Sequence, residues 1–307
     1  MHSELPGPES AIRAGSADAA SLLQGAYDTH LHVWPDTVPR CRDFLGAARE
    51  AQQAGMAGIV FKDIAQPTTD RAHAVNALFP GLQAFGGVVL DWPVGGLNPV
   101  AVDRCLRHGG TFVWMPVAHS RHTVSLYQSG ILRLLTPPDV PLPRAISLVT
   151  DAGDLREEVR EIVRLVAQHD AVLGTGHVSP EESIALLRYA AGTGVRRMVA
   201  NHPSGRSIGA SIQQQRAMAA CGAFLEHCFA QCTPGLDNLP VEVIAHAIRE
   251  IGPASCILAG DLGQTFNPPP AHGLGAFLQQ LEAAGISRGD LRLMTHENPR
   301  RLLLEPR

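Results

Sequence analysis

Residues 26–34, AYDTHLHVW, have the pattern of a buried strand that carries an acid and two histidines at every second position. Alternate side chains of a strand point to the same face, so Asp28, His30 and His32 share one face. Inside a packed core, each of these three groups would need a buried partner. On a face that looks into a barrel or a cleft, the same groups form a set of ligands for a divalent metal.

Short apolar, β-branched runs of this kind recur along the chain and predict eight strands. The segments between them have helical spacing, and several begin with a Ser, Asn or Asp cap and end at Gly. Eight alternating strand and helix units predict a parallel sheet closed into a (β/α)8 barrel, or TIM barrel, with an open doubly wound sheet as the alternative. The predicted strands are 25–33, 57–64, 84–91, 110–117, 171–178, 195–203, 223–229 and 254–262.

The spacing of these units also predicts the domain organisation. We expect an N-terminal arm over residues 1–24 and a single α/β domain over residues 25–307. The fourth and fifth predicted strands are much farther apart than the others, and the insertion at about 118–153 carries Pro and Gly along its length. This composition predicts a long excursion over the mouth of the barrel.

The net charge and the lengths of the apolar runs indicate which partners the protein binds. The formal net charge of −4 argues against general nucleic-acid binding, because no basic surplus exists to neutralise phosphates, so we expect a small-molecule substrate. No apolar run is long enough to span a membrane and no signal peptide is recognisable, which predicts a cytoplasmic protein without a membrane partner. Apolar helix faces of barrels commonly support homo-oligomers, so a homo-oligomer is a further possible partner state of this chain.

The strand ends carry the candidate chemistry, because (β/α)8 enzymes build their sites at the C-terminal ends of the strands. Several histidines and an aspartate at one end of a barrel suit a divalent metal, whose preferred ligands include imidazole nitrogens and carboxylate oxygens. Asp261 could also accept a proton from a metal-bound water. The polar residues at or near the predicted strand ends are Asp28, His30, His32, Lys62, Asp63, Asp91, His177, Asn201, His202, Glu226, His227 and Asp261.

The motifs DTHLH, GTGHVS, VANHPSG and LAGDLGQ, with the closing ENPRRLL, together resemble the amidohydrolase superfamily of metal-dependent hydrolases. VFKDI, GGVVLDWPVGGLNP, FVWMPV and GQTFNPPP further resemble an amidohydrolase-related family without an assigned function. The resemblance runs from about residue 25 to 304 and implies an amidohydrolase-like barrel that holds one or two divalent ions, with zinc the expected metal. The metal ligands that it implies are His30, His32, His177, His202 and Asp261.

Lys62 marks a departure from that superfamily, whose bridging ligand, a carboxylated Lys or a Glu, follows strand 4. Strand 4 here ends in Trp114-Met115-Pro116, without an acid or a lysine, whereas Lys62, the one lysine of the chain, lies on strand 2. Lys62 could be a displaced bridging carbamate, a cation for a substrate carboxylate or phosphate, or an ion-pair partner of Asp63 or Glu226. We favour a direct role in the site, as a catalytic residue and metal ligand.

The remaining candidate residues have supporting roles. Asp28 and Glu226 are predicted to orient ligand histidines. Gln264 and Asn267 lie on the loop after the last strand, and His122 lies on the insertion, so these three are candidates for binding substrate.

These features predict a metal-dependent hydrolase that cleaves an amide, lactone or ester-like C–N or C–O bond of a small molecule, with Asp261 and Lys62 as its catalytic residues. Fold and ligands do not determine the reaction, so other functions stay open. They are a metal-dependent decarboxylase or lyase, a phosphoesterase, a Schiff-base aldolase that uses Lys62, and a non-catalytic metal-binding protein.

Overall fold

The structure of the protein, a computed structural model, describes residues 21–132 and 144–304. Residues 1–20 of the predicted arm, residues 133–143 of the predicted insertion and residues 305–307 lie outside the described part. The strands are β1 (Tyr27–Leu31), β2 (Gly58–Phe61), β3 (Gln83–Phe85), β4 (Gly87–Val89), β5 (Phe112–Trp114), β6 (Val172–Gly174), β7 (Arg197–Asn201), β8 (Phe224–Cys228) and β9 (Cys256–Ala259).

All paired strands are parallel and follow one another in chain order, β1 to β3 in one sheet and β4 to β9 in a second. β3 and β4 are separated by Gly86 alone. At the opposite seam, Leu31 after β1 pairs with Leu262 after β9, and the His32 N–H donates to the Leu262 carbonyl at 2.8 Å. The two sheets therefore form one barrel with eight strand positions, and the predicted (β/α)8 fold is confirmed.

The third predicted strand, 84–91, is divided into β3 and β4 because Thr68 replaces a neighbouring strand as the hydrogen-bond partner of Gly87. Thr68, on the loop after β2, donates its N–H to the Gly87 carbonyl at 3.0 Å and accepts the Gly87 N–H at Oγ1 at 2.9 Å. A Cβ at Gly86 would lie 2.5 Å from the Thr68 carbonyl oxygen, so only glycine allows this close approach.

Helices cover the outside of the barrel, and several begin at the predicted caps. The side chains of Asp43, Ser179 and Ser211 each accept the N–H three residues later, which satisfies one of the free donors at the start of a helix. None of the helices among the described residues is long and apolar enough to cross a membrane. The helices are α1 (Phe44–Gln53), α2 (Thr69–Leu78), α3 (Pro99–Arg107), α4 (Arg121–Gln128), α5 (Glu157–Gln168), α6 (Pro180–Thr193), α7 (Ile212–Ala220), α8 (Val241–Ile251), α9 (Pro270–Ala283), α10 (Arg288–Arg292) and α11 (Asn298–Leu303).

An apolar cluster with at least one member from each of the eight strand positions fills the inside of the barrel. Phe112 and Trp114 of β5 stack there with ring centroids 4.7 Å apart. Because this cluster closes the interior, polar side chains have room only beyond it, where the strands end. Its strand members are Tyr27, Val60, Val89, Phe112, Trp114, Val172, Val199, Phe224 and Ile257.

Candidate metal centre

Four histidines and one aspartate from four strand positions line a single cavity at the C-terminal end of the barrel. His30 is within β1 and His32 lies one residue past the last residue of that strand. His177 and His202 follow β6 and β7, and Asp261 follows β9. Parallel strands bring their carboxyl ends to one edge, which is why residues so distant in sequence converge.

Asp261 lies at the centre of this group. Its Oδ1 is 3.2 Å from His30 Nε2 and 3.1 Å from His32 Nε2, and its Oδ2 is 4.0 Å from His202 Nε2. The Asp261 N–H donates to the His30 carbonyl at 2.7 Å, which sets the position of the residue beside β1. Burial alone would raise the pKa of Asp261, but the nearby His30, His32 and His202 hold it well below its usual range.

His177 and His202 form the other side of the cavity. Their Nε2 atoms are 3.1 Å apart, and the two rings meet edge to face. Burial lowers the pKa of His202 to about 4 and also lowers the pKa of His177 well below its usual value. Both rings are therefore neutral at pH 7, the form in which imidazole binds a metal.

Glu226 determines which nitrogen of His30 carries the proton. Its Oε2 is 2.9 Å from His30 Nδ1, and its carboxylate also accepts from Thr29 Oγ1 and Asn201 Nδ2, both at 2.7 Å. Burial would raise the pKa of Glu226, but His30 and these hydrogen bonds lower it overall, so the carboxylate stays ionised. An ionised carboxylate only accepts hydrogen bonds, so Nδ1 of His30 is the donor.

The surroundings of His30 Nε2, the ring nitrogen on the side of Asp261, show whether the site fits a metal. His30 Nε2 is buried and has no hydrogen-bond partner among the described residues, although Asp261 Oδ1 is only 3.2 Å away. A lone pair that faces a carboxylate oxygen at this distance is unfavourable unless a proton or a metal ion lies between them. His30, His32 and Asp261 also offer ligand atoms within 4.8 Å of one another. The residues therefore fit a divalent metal.

Two of these residues have a left-handed backbone. The φ angle is +26° at His202 and +52° at Asp261, a region that residues other than glycine rarely adopt. Such positions are typical of functional sites and raise the free energy of the folded state by about 1–3 kcal/mol each. The strained backbone at these two strand ends turns both side chains toward the cavity, and no sequence pattern had indicated it.

Lys62 lines the same cavity, at the end of β2, with its side chain almost completely buried. It forms no ion pair with any residue of 21–132 or 144–304. Asp63 instead forms an ion pair with Arg71 at 2.7 Å, and Glu226 contacts His30. The predicted alternative, a structural ion pair of Lys62 with Asp63 or Glu226, is therefore wrong. Lys62 Nζ lies 5.6 Å from the centroid of the Trp114 ring, and burial lowers its pKa.

Cys228 is a neighbour of the site that the sequence patterns did not single out. His30, Glu226 and Cys228 form a second group of possible ligand atoms, and Cys228 Sγ is 3.9 Å from His30 Nδ1. Burial raises the pKa of this thiol well above its usual value, so it is protonated. Its position on β8, two residues after Glu226, was the available signal, since alternate residues share a face.

The strand-end acids Asp28 and Asp91 contact backbone amides. Asp28 Oδ1 accepts the N–H of His30 at 3.1 Å and of Gly260 at 2.9 Å, so it joins β1 to the end of β9. It has no hydrogen bond to an imidazole ring within residues 21–132 and 144–304. Burial raises its pKa to about 7. Asp91 accepts the N–H groups of residues 117, 118 and 119 and holds the start of the loop after β5.

The three predicted substrate-binding residues lie in different places. Gln264 lines the cavity, and its Nε2 donates to the Asp261 carbonyl at 2.9 Å. Asn267 lies behind it and donates from Nδ2 to Gln264 Oε1 at 2.8 Å. His122 is near the start of α4 and is not among the residues that line the cavity.

The cavity itself has the size and lining of a small-molecule site. Its volume is about 1000 Å³, which includes the part open to solvent. Most of the lining surface is contributed by apolar atoms, and the polar side chains of the lining include the four histidines. Apolar walls with a few converging polar groups are the usual composition of ligand sites.

Comparisons with known proteins agree with this architecture. The model of the Family of unknown function (DUF6282) matches residues 25–226. No curated protein matches the sequence. An amidohydrolase structure from Pseudomonas aeruginosa superposes with a TM-score of 0.63 at 11% identity, over 93% of this chain and 98% of that one.

Two further solved structures come from different reaction classes. Organophosphorus hydrolase from Deinococcus radiodurans has a TM-score of 0.55 at 14% identity and covers 93% of each chain. A 2,6-dihydroxybenzoate decarboxylase has a TM-score of 0.52 at 13% identity, over 91% of this chain and 99% of that one. At such low identity the likeness shows the fold alone, and at that level the resemblance to the amidohydrolase superfamily is confirmed.

Proposed function

Because this chain belongs to the Family of unknown function (DUF6282) and has the amidohydrolase fold, we propose that it is a metal-dependent hydrolase of an amide, lactone or ester-like bond in a small molecule. The observation that supports this most is the buried His30 Nε2, which faces the Asp261 carboxylate without a hydrogen bond. The residues that would hold the metal, with zinc the expected ion, are His30, His32, His177, His202 and Asp261.

The chemistry follows from the positions of these groups. A divalent ion bound here would lower the pKa of a coordinated water to about 7 and polarise the substrate carbonyl. Asp261, which lines the cavity beside the histidines, would accept a proton and pass it to the leaving group. Glu226 would keep His30 in one tautomer, and the apolar walls would limit the entry of other water molecules.

Lys62 would act in the site directly. A buried amine without an ion pair, whose pKa is lowered by burial, can react with CO2 to form a bridging carbamate or can bind an anionic group of the substrate as a cation. The two roles differ in the number of metal ions that the site holds.

Elemental analysis of the purified full-length chain tests the proposal. We expect about one or two zinc ions per chain in the wild type, and loss of zinc in His177→Asn and His202→Asn. His246→Asn changes an exposed histidine of α8 and should keep the wild-type content. Absence of metal from the wild type after zinc reconstitution, or full retention in both site variants, would contradict the proposal.

Lys62→Ala, analysed in the same way, separates the two roles of the lysine. A fall from about two ions to one supports a bridging carbamate, and equal content supports substrate binding.

A metal-dependent decarboxylase is the second candidate function. The cationic Lys62 beside the histidines would suit a carboxylate substrate, and the fold is shared with a 2,6-dihydroxybenzoate decarboxylase. Release of CO2 from aromatic acids by the zinc-loaded protein, without hydrolysis of amide, lactone or ester substrates, would favour this function over the first.

A further inference from the structure

A second buried cation lines the cavity and has no part in the proposed metal chemistry. Arg40 lies on the loop between β1 and α1, and its side chain is only 6% exposed. It lines the cavity together with His32 and Lys62. An antiparallel bridge between Arg40 and Gln264 fixes this loop against the loop after β9.

Asp36 holds the Arg40 side chain in place but leaves most of its donors free. The Arg40 Nε donates to Asp36 Oδ2 at 2.6 Å, and Asp36 Oδ1 accepts the Thr37 N–H at 2.5 Å. In the described part of the chain, no group accepts a hydrogen bond from the two terminal nitrogens of Arg40. Asp36 is therefore a positioning residue, which fixes the guanidinium through one edge and leaves the Nη groups available.

Apolar residues lie beside Arg40 in the lining, so an anion that binds its free donors would do so next to apolar walls. Val38, Ile64 and Leu236 are among the apolar residues of the lining. Asp237, the other acid besides Asp261 among the described lining residues, accepts the Arg206 N–H at 2.7 Å. A guanidinium buried next to apolar walls favours a ligand that brings its own anion, and paired N–H groups match the two oxygens of a carboxylate.

We infer that Arg40 binds a carboxylate of the substrate, so that the substrate is a small carboxylic acid with an apolar body whose reacting bond lies at the histidine cluster. This inference rests on the proposed function for the position of the reacting bond, but the binding of the carboxylate does not depend on turnover.

The test compares two probes of the same shape that differ in charge, phenylacetate and phenylacetamide, by calorimetric titration of the zinc-loaded full-length protein. We expect phenylacetate to bind at least about tenfold more tightly in the wild type, since hydrogen bonds to charged groups are the stronger ones. Arg40→Met should abolish this preference. Arg40→Lys, which keeps the charge but not the paired donors, should keep part of it and serves if the methionine variant does not fold.

Arg42→Met is the matched control. Arg42 is on the same loop, 40% exposed, and pairs with Glu50 at the surface, so its loss should leave the preference unchanged.

Repeating the titration on metal-free protein separates this inference from the proposed function. A preference that persists without metal and vanishes in Arg40→Met supports Arg40 even if the chain binds no zinc. A preference that depends on zinc but survives in Arg40→Met shows that the metal binds the carboxylate, and it overturns the inference. Equal binding of the two probes by the wild type, or no binding of phenylacetate, overturns it as well.

Discussion

The ends of β2 and β9 each carry an aspartate at the mouth of the barrel, but the two acids have opposite partners. Asp63, after β2, accepts hydrogen bonds from Arg71 Nη2 at 2.7 Å and from the Ala65 N–H at 2.8 Å. Asp261, after β9, faces the imidazole rings of His30 and His32 at 3.2 and 3.1 Å. The β2 acid is paired with an arginine of the fold, whereas the β9 acid lies among imidazole rings that, together with it, fit a divalent metal.

The difference shows how to separate structural from functional acids at a strand end. Both residues follow a parallel strand and both are largely buried, so position alone does not distinguish them. A buried carboxylate whose oxygens are matched by donors contributes to folding, and one that lies among several imidazole rings points to a metal. We therefore expect substitutions at the β2 end to lower the stability of the fold and substitutions at the β9 end to lower the affinity for metal.

The largest effect on stability is expected at the β2 end. Arg71→Met removes one member of a buried ion pair whose side chains are 8% and 0% exposed. Because Asp63 would remain buried and uncompensated, the free energy of unfolding should fall by about 3–5 kcal/mol. Denaturant unfolding measures this loss, with Arg107→Met, which breaks an exposed pair with Asp103, as a control that should lose less than about 1 kcal/mol.

Zinc content of the folded Arg71→Met protein should equal that of the wild type. Loss of zinc in this variant would mean that the two strand ends are not separate in function.

The next effect concerns the β9 end and appears in metal binding. Asp261→Asn keeps the shape of the side chain but removes the charge between the imidazoles. Zinc affinity should fall by more than about 100-fold, because even outer partners of ligands change affinity by 10–100-fold. The unfolding free energy of the metal-free variant should change by no more than about 1.5 kcal/mol, the scale of one hydrogen bond.

Competition with a chromophoric zinc chelator measures the affinity of Asp261→Asn. A variant that unfolds as easily as Arg71→Met yet binds zinc like the wild type would reverse the assignment of the two aspartates.

The smallest effect is expected for Glu226, one contact farther from the metal. Glu226→Gln removes the charged acceptor of His30 Nδ1 but keeps an oxygen for Thr29. His30 would lose its fixed tautomer, so zinc affinity should fall by about 10–100-fold. Glu50→Gln, at the surface pair with Arg42, is the control. An unchanged affinity in Glu226→Gln would mean that Glu226 does not orient a ligand.

The fold was largely predictable because parallel barrels have a simple signal. Apolar runs separated by capped helices give the order of the units, and the short loops of such units allow few arrangements. The division of the third strand was not predictable, because it depends on the Thr68 side chain, which reaches the strand only in the folded chain. α4 within the predicted insertion was also missed, since the Pro and Gly around it indicated a loop.

The convergence of the histidines follows from the same rule, but their environment does not. That Asp63 binds Arg71 rather than Lys62 depends on the packing of α2 against β2, which no pattern in the sequence encodes. The place of Arg40 in the cavity likewise depends on a bridge to Gln264, a residue more than two hundred positions away. Contacts between loops distant in sequence were the information that the sequence patterns lacked.

The left-handed backbone at Asp261 has a consequence for how this protein changes over generations. A chain under selection for folding alone would drift toward glycine at this position, since glycine adopts a φ of +52° without steric strain. Laboratory evolution for heat resistance and laboratory evolution for turnover should therefore diverge here, the first replacing the aspartate and the second retaining it. The residue found at position 261 would then show whether a lineage had been selected for heat resistance or for turnover.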